Sequence, residues 1–282
     1  EGTLIKWLVK VGEQIALDQP IAQVETDKAV VEIPSPASGV VSELIGTQGE
    51  LLTVGEVMMK LDTDGAASKV ETVVEAAREN GVYIPTLCNF PGVPPKGGCR
   101  MCTIKINGRF MTSCTTPAAP GMEVENDTEE INELRKSIIE LLFVSGNHFC
   151  PACEKSGNCE LQALAYRYQM MVPKYPYSFP VNDVDASSPK IIKDQNRCVL
   201  CQRCMKTIKT EDGERYFAFV NRGDKLEVIM DPELGQKMTD EIAQLAMDNC
   251  PVGSIIKKEV GFVEPIGTRK YDKEVIGTDI GV

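Results

Sequence analysis

Little in this chain suits it to nucleic acid, to a membrane or to nicotinamide chemistry of its own. Basic residues are in deficit, 30 Lys and Arg against 41 Asp and Glu, for a net charge of −11. That leaves no basic stripe of the kind phosphate backbones require. Apolar runs fall far short of the roughly 20 residues that span a bilayer. No segment joins a basic start, an apolar middle and a small-residue cleavage site, so nothing points to export, and a cytoplasmic setting is expected. The chain opens at Glu1 rather than Met, and an earlier stretch is expected ahead of it. No Gly-x-Gly-x-x-Gly opens a helix, which removes the dinucleotide-fold signature. Histidine is almost missing: His148 stands alone in 282 residues.

Against that one His stand eleven Cys. An odd number leaves a thiol over in any purely disulfide framework, and a chain this long builds its cores without covalent staples. In a reducing compartment clustered Cys bind metal or do redox work. Eleven Cys plus His148 make twelve donors, enough for three four-ligand sites. Using all of them leaves none for a Cys/His nucleophilic centre, so no catalytic residue is expected.

The first 65 residues repeat themselves. A shift of 37 lays Gly2 on Gly39, Gly12 on Gly49, Glu13 on Glu50 and Thr26 on Thr63. Apolar positions follow, Ile15 on Leu52 and Val24 on Leu61. One short duplicated module with Val- and Ile-rich runs between turn residues points to two interlocked halves of a small β structure. The unmatched feature is Lys28 in Glu25-Thr26-Asp27-Lys28-Ala29, which falls on Gly65. These residues, with Gly12 and the Pro34–Gly39 run, resemble the lipoyl domain, a flattened β-barrel that carries a modified Lys on a hairpin tip. The resemblance implies lipoate on Lys28. Biotin is disfavoured, because its carriers flank the lysine with Met, where this chain has Asp27 and Ala29.

After a small-residue linker, Val70 to Asn80 reads as a helix. Cys88, Cys99, Cys102 and Cys114 follow as C-x10-C-x2-C-x11-C. Gly97 and Gly98 let backbone amides approach sulfur, and Asn107-Gly108 turns a hairpin between the last two Cys. Any C-x2-C can begin a zinc site, but the long first gap, paired glycines and hairpin favour [2Fe–2S]. Asp127 and Glu130 read as a capping box for a helix bearing Ile131, Leu134, Ile138, Leu141 and Leu142. It runs into His148, Cys150, Cys153 and Cys159, a second donor set. Cys198, Cys201 and Cys204 are spaced to wrap one corner of a cubane, and Cys250-Pro251 closes that set, as in bacterial ferredoxins. The Cys198 set is expected to hold [4Fe–4S].

The first Cys set resembles the β-grasp ferredoxin domain that opens the large iron–sulfur subunit of respiratory complex I. The second resembles that subunit's His-plus-three-Cys [4Fe–4S] site and so implies [4Fe–4S] on His148, Cys150, Cys153 and Cys159, although there the His precedes the first Cys by four residues and here by two. The run from Gly146 to Gln162, Tyr175 to Val181 and Pro265 to Tyr271 are similar to the diaphorase iron–sulfur subunit of NAD-reducing [NiFe] hydrogenases. The resemblance implies an α+β multidomain chain. Its segments are a lipoyl-like domain over 1–65, a β-grasp domain over 66–126, a His-containing cluster segment over 127–172 and a ferredoxin-like domain with tail over 173–282. It also implies an electron relay without substrate chemistry of its own, set between an FMN/NAD(P)(H)-binding flavoprotein and the small and large [NiFe] hydrogenase subunits, with bifurcation left open. Two alternatives stand beside it. One is the equivalent subunit of a soluble NAD-linked formate dehydrogenase or other complex I-like enzyme, and the other is a lipoyl carrier of a 2-oxoacid dehydrogenase type system.

Overall fold

The computed structural model describes residues 2–16, 18–26, 29–52, 57–62, 71–259 and 261–280. The chain divides into two compact units, Glu1–Val70 and Glu71–Val282. Among the described residues no helix is long and apolar enough to cross a membrane.

The 37-residue repeat is built into the first unit as an exchange of strands. The strands are β1 (Gly2–Trp7), β2 (Gln14–Ile15), β3 (Pro20–Glu25), β4 (Val30–Pro34), β5 (Gly39–Leu44), β6 (Leu51–Leu52) and β7 (Met59–Asp62). β1 and β5 are one repeat apart, as are β2 and β6. The sheets run β4-β3-β1-β6 and β2-β5-β7, so each half lends its short strand to the other. The turn glycines match too: Gly12 lies at φ 86° and Gly49 at φ 89°, where a side chain would be strained. The Gly12 amide donates to the Val41 carbonyl at 2.7 Å, and the Gly49 amide to that of Leu4, Val41's repeat partner, at 2.8 Å. Leu4, Val9, Ile15, Ile21, Ala22, Val24 and Val41 form the core between the sheets. Among the described residues the two sheets stay open, where the lipoyl resemblance implied a flattened barrel.

The second unit carries all eleven Cys and His148. Its helix α1 (Val73–Glu79) is shorter than the expected Val70–Asn80 and is capped by Thr72 with Glu75. Strands β8 (Thr103–Ile106) and β9 (Arg109–Thr112) form the expected hairpin, with Asn107 at φ 49° and Gly108 at φ 77°. β10 (Val124–Glu125) pairs on the other side of β8.

Helix α2 (Glu129–Val144) corrects two sequence readings. Thr128, not Asp127, is the N-cap, its hydroxyl accepting the Ile131 amide. Asp127 instead accepts from the Asn132 side chain. The buried face is Ile131, Arg135, Ile139, Glu140 and Val144, while Leu141 is half exposed. Arg135 displaces the apolar stripe because its guanidinium finds buried acceptors, the carbonyls of Asn126 and Thr103 and the Asn126 side chain, at 2.7–3.0 Å.

The remaining elements are α3 (Glu160–Arg167), β11 (Val184–Asp185), β12 (Ile191–Asp194), α4 (Arg203–Thr207), β13 (Phe217–Val220), β14 (Glu227–Met230), α5 (Pro232–Gln236), α6 (Asp240–Asn249), β15 (Ile255–Lys257) and α7 (Lys270–Lys273). β13 and β14 form a hairpin between Cys204 and Cys250, and Thr239 caps α6 before Cys250. β12 is central in the sheet β11-β12-β15. The tail around α7 is tied down by Arg269, which is almost wholly buried. Its guanidinium donates to the carbonyls of Glu154, Ser156 and Glu264.

Candidate metal centres

Lys28 lies outside the described residues, as does its repeat partner Gly65. In sequence Lys28 falls between Thr26 and Ala29. The Thr26 amide donates to the Ala29 carbonyl at 2.9 Å, closing the end of the β3–β4 hairpin.

Cys88, Cys99, Cys102 and Cys114 converge in the loop before β8 and the turn after β9. Cys102 and Cys114 sulfurs are 3.3 Å apart, held by Ser113, whose amide and hydroxyl both donate to the Cys102 carbonyl. The thiols of Cys114 and Cys99, then the amides of Cys99 and Gly98, draw Cys88 far below the usual thiol range. Cys114 also draws Cys102 down to about 7, and the partners Cys99 and Cys114 are pushed up. Gly97 at φ 66° and Arg100 at φ 62° turn the backbone around Cys99. The paired glycines do bring an amide to sulfur.

His148, Cys150, Cys153 and Cys159 line one hollow with Ser156, Gln162, Arg197 and Gly253. A single-turn helix over Cys150–Ala152 follows His148, so the two-residue offset still brings the imidazole to the Cys. The Asn147 amide donates to the Asn196 carbonyl at 2.7 Å, pinning the approach. Burial, then the Arg197 charge, holds His148 down at about 4, so at neutral pH it presents a lone pair. Cys159 caps α3, its sulfur accepting the Gln162 amide at 3.5 Å. Arg197 donates to the Cys153 sulfur at 3.5 Å and is paired with Asp194.

Cys198, Cys201, Cys204 and Cys250 line a second hollow with Lys193, Gln202, Val228 and Ser254. Leu200 at φ 51° and Gln202 at φ 69° fold the triple back on itself. Cys204 lies in α4, and Cys250 caps the C-terminus of α6. Burial pushes Cys201 up to about 12 and raises Cys204 and Cys250.

The donors suit iron–sulfur clusters. The buried sulfurs of one set cannot all ionise together unless a cationic core compensates them. Among the described residues no group of three His, Cys, Asp or Glu has the arrangement of a single-ion site. The hollows also refuse added atoms. A Cβ on Gly253 would sit 2.3 Å from the Cys153 sulfur, and one on Gly146 2.6 Å from His148 Nε2.

Three groups of contacts place the sets in order. Lys96 Nζ donates to the Leu200 carbonyl at 2.7 Å and Lys206 Nζ to that of Pro94 at 2.6 Å, joining the first loop to the Cys198 loop. The Cys159 thiol and the Glu160 amide both reach the Pro251 carbonyl, beside Cys250. Arg203, next to Cys204, is salt-bridged to Glu160, next to Cys159, at 2.6 and 2.7 Å. The Cys198 set thus lies between the other two. Sequence reasoning missed Lys193, Arg197, Arg203 and Gly253; each is close in sequence to a ligand-type Cys, but nothing in its type announces a role.

Four family models match in succession. They describe a biotin-requiring enzyme over 1–61, a 2Fe-2S iron-sulfur cluster binding domain over 58–129, an NADH-ubiquinone oxidoreductase-G iron-sulfur binding region over 135–173, and the ferredoxin-like domain of NADH-quinone oxidoreductase subunit 3 over 188–256. The NAD-reducing hydrogenase HoxS subunit gamma of Cupriavidus necator is 43% identical over 218 residues, 76% of this chain and 93% of that one. The NADPH-Fe(3+) oxidoreductase subunit alpha of Geobacter sulfurreducens is 33% identical over 210 residues but only 25% of it is covered. A chain of a solved NAD+-reducing [NiFe]-hydrogenase is 38% identical with a TM-score of 0.66, over 72% of this chain and 87% of that one.

Proposed function

The chain belongs to the family of the gamma subunit of NAD-reducing hydrogenase, an iron–sulfur electron-transfer subunit, and on that premise we propose how its residues relay electrons. Cys88, Cys99, Cys102 and Cys114 hold one [2Fe–2S] cluster. His148, Cys150, Cys153 and Cys159 hold one [4Fe–4S] cluster, and Cys198, Cys201, Cys204 and Cys250 a second. When bound, such clusters take up and release one electron at a time at potentials set by their surroundings. The chain's part is to hold the donors, keep water from them and fix the order of the stations. The partners are an FMN/NAD(P)(H)-binding iron–sulfur flavoprotein on one side and the small and large [NiFe] hydrogenase subunits on the other, in the cytoplasm. Lys28 is the lipoate attachment point of residues 1–65, and the cluster segments run 66–126, 127–172 and 173–282.

The observation that carries this reading is the grouping of twelve donors into three sets of four within one unit, the Cys198 set in the middle. It supports a path from the Cys88 set through the Cys198 set to the His148 set. Iron, sulfide and zinc analysis with low-temperature EPR on the anaerobically purified complex tests it. Roughly ten irons, with one [2Fe–2S] and two [4Fe–4S] signatures, are expected from these cluster types. Zinc in place of iron would sink the relay.

A further inference from the structure

Arg203 and Lys193 are buried cations beside the Cys198 set, and they differ in what balances them. Arg203 is bonded bidentately to Glu160. Lys193, on β12, is 3% exposed and lines the hollow itself. Its ammonium donates to Ser254 Oγ at 2.9 Å and Gln195 Oε1 at 3.0 Å. Both acceptors are neutral and are themselves held. Ser254 Oγ donates to the Asp194 carbonyl at 2.6 Å, and Gln195 Oε1 also accepts the Val228 amide. Among the described residues no carboxylate pairs with Lys193.

A buried ammonium is costly unless a negative charge balances it. An ammonium has three N–H donors, and two neutral oxygens leave its charge intact. Around it stand Cys198, Cys201, Cys204 and Cys250. Burial raises Cys204 and Cys250, and the Lys193 charge works against that rise at both.

We infer that Lys193 is a positioning residue that raises the reduction potential of the cluster held by the Cys198 set, so that the middle station holds an electron more readily than it would without that charge. The inference rests on the reading that this set holds a cluster. One electron enters from the neighbouring [2Fe–2S] station, or from dithionite in a titration. No bond forms or breaks and no proton moves; the net charge of the site falls by one, and the nearby ammonium favours that change.

The test is an EPR-monitored redox titration of the purified holo complex with Lys193→Met, Lys193→Gln and Lys193→Arg. At the potential where the native station is half reduced, Lys193→Met and Lys193→Gln are expected to lower the reduced-to-oxidised ratio on the order of tenfold, equivalent to 59 mV for one electron. Lys193→Arg is expected to stay within about twofold of native, by the same relation. The other two signals are expected to stay in place. Gln preserves hydrogen bonding to Ser254, so it reports the potential if Met fails to assemble iron. Full iron with an unmoved potential would overturn the inference, as would iron loss in both neutral variants or an equal shift of all three stations. Absence of the cluster signal in the native complex would instead overturn the assignment of the site.

Discussion

Adding one methyl group at residue 253 is a direct probe of the His148 hollow. Gly253 is not in the left-handed region that only glycine tolerates, so alanine brings no backbone strain there. Its Cβ would lie 2.3 Å from the Cys153 sulfur, 3.5 Å from Lys155 Cβ and 3.7 Å from an Arg197 nitrogen. Non-bonded heavy atoms rest roughly 3.5–4 Å apart, so only the sulfur contact is impossible, and it must open by more than about 1 Å. Overpacking of this size costs about 1–3 kcal/mol. If that cost falls on the position of the Cys153 sulfur, the cluster is held roughly 5- to 150-fold less tightly. Iron analysis and EPR of Gly253→Ala are therefore expected to lose the His148-set signal first and keep the other two. Gly213→Ala is the control: it has open space around it but φ 87°. Strain of about 1–2 kcal/mol is expected there with no loss of iron. Full retention of the His148-set signal in Gly253→Ala would refute the placement of Cys153 as a ligand.

The Arg203–Glu160 bridge should behave as a buried pair, because their side chains are only 4% and 21% exposed. Glu160→Gln is expected to destabilise the protein by about 3 kcal/mol, at the low end for breaking such a pair. The double variant Glu160→Gln with Arg203→Met should recover part of that loss, read from denaturation midpoints. Arg135→Met strands the acceptors of Asn126 and Thr103 and is expected to cost about 3 kcal/mol or more at roughly 1–3 per unsatisfied group; an unchanged midpoint in urea would contradict its role. Lys28→Arg should remove any lipoyl mass from the chain while leaving NADH-driven dye reduction intact. A large loss of that activity would place the first unit inside the electron path.

What was legible in the sequence was what repeats or punctuates. The 37-residue echo was visible because Gly12 and Gly49 serve one turn geometry twice, and Asn107-Gly108 because few other pairs make that hairpin turn. The Cys groupings were legible because thiols brought together by one loop lie at short, regular spacings. The entry to α2 was misread by one residue because Asp127 and Thr128 are both good caps, and only tertiary bonding to Asn132 and Ile131 distinguishes them. Its inner face was misread because a 3.6-residue pattern scores Arg135 as exposed, whereas carbonyls of distant segments make it the anchor of the helix. Lys193 and Gly253 were silent for a related reason: a lysine without its acid and a glycine without positive φ acquire meaning only from neighbours far along the chain.

The strand exchange in the first unit also constrains how that unit comes into being. β1 needs β6 and β5 needs β2, so neither half can finish its sheet on its own. Cut between β4 and β5, each fragment would carry a raw edge and part of a core, and edges of that kind seek a partner. The two fragments should therefore reassemble on mixing, as a split protein does. The same edges would let two newly made chains trade halves before either had closed, so dimerisation during synthesis is the characteristic error open to this module.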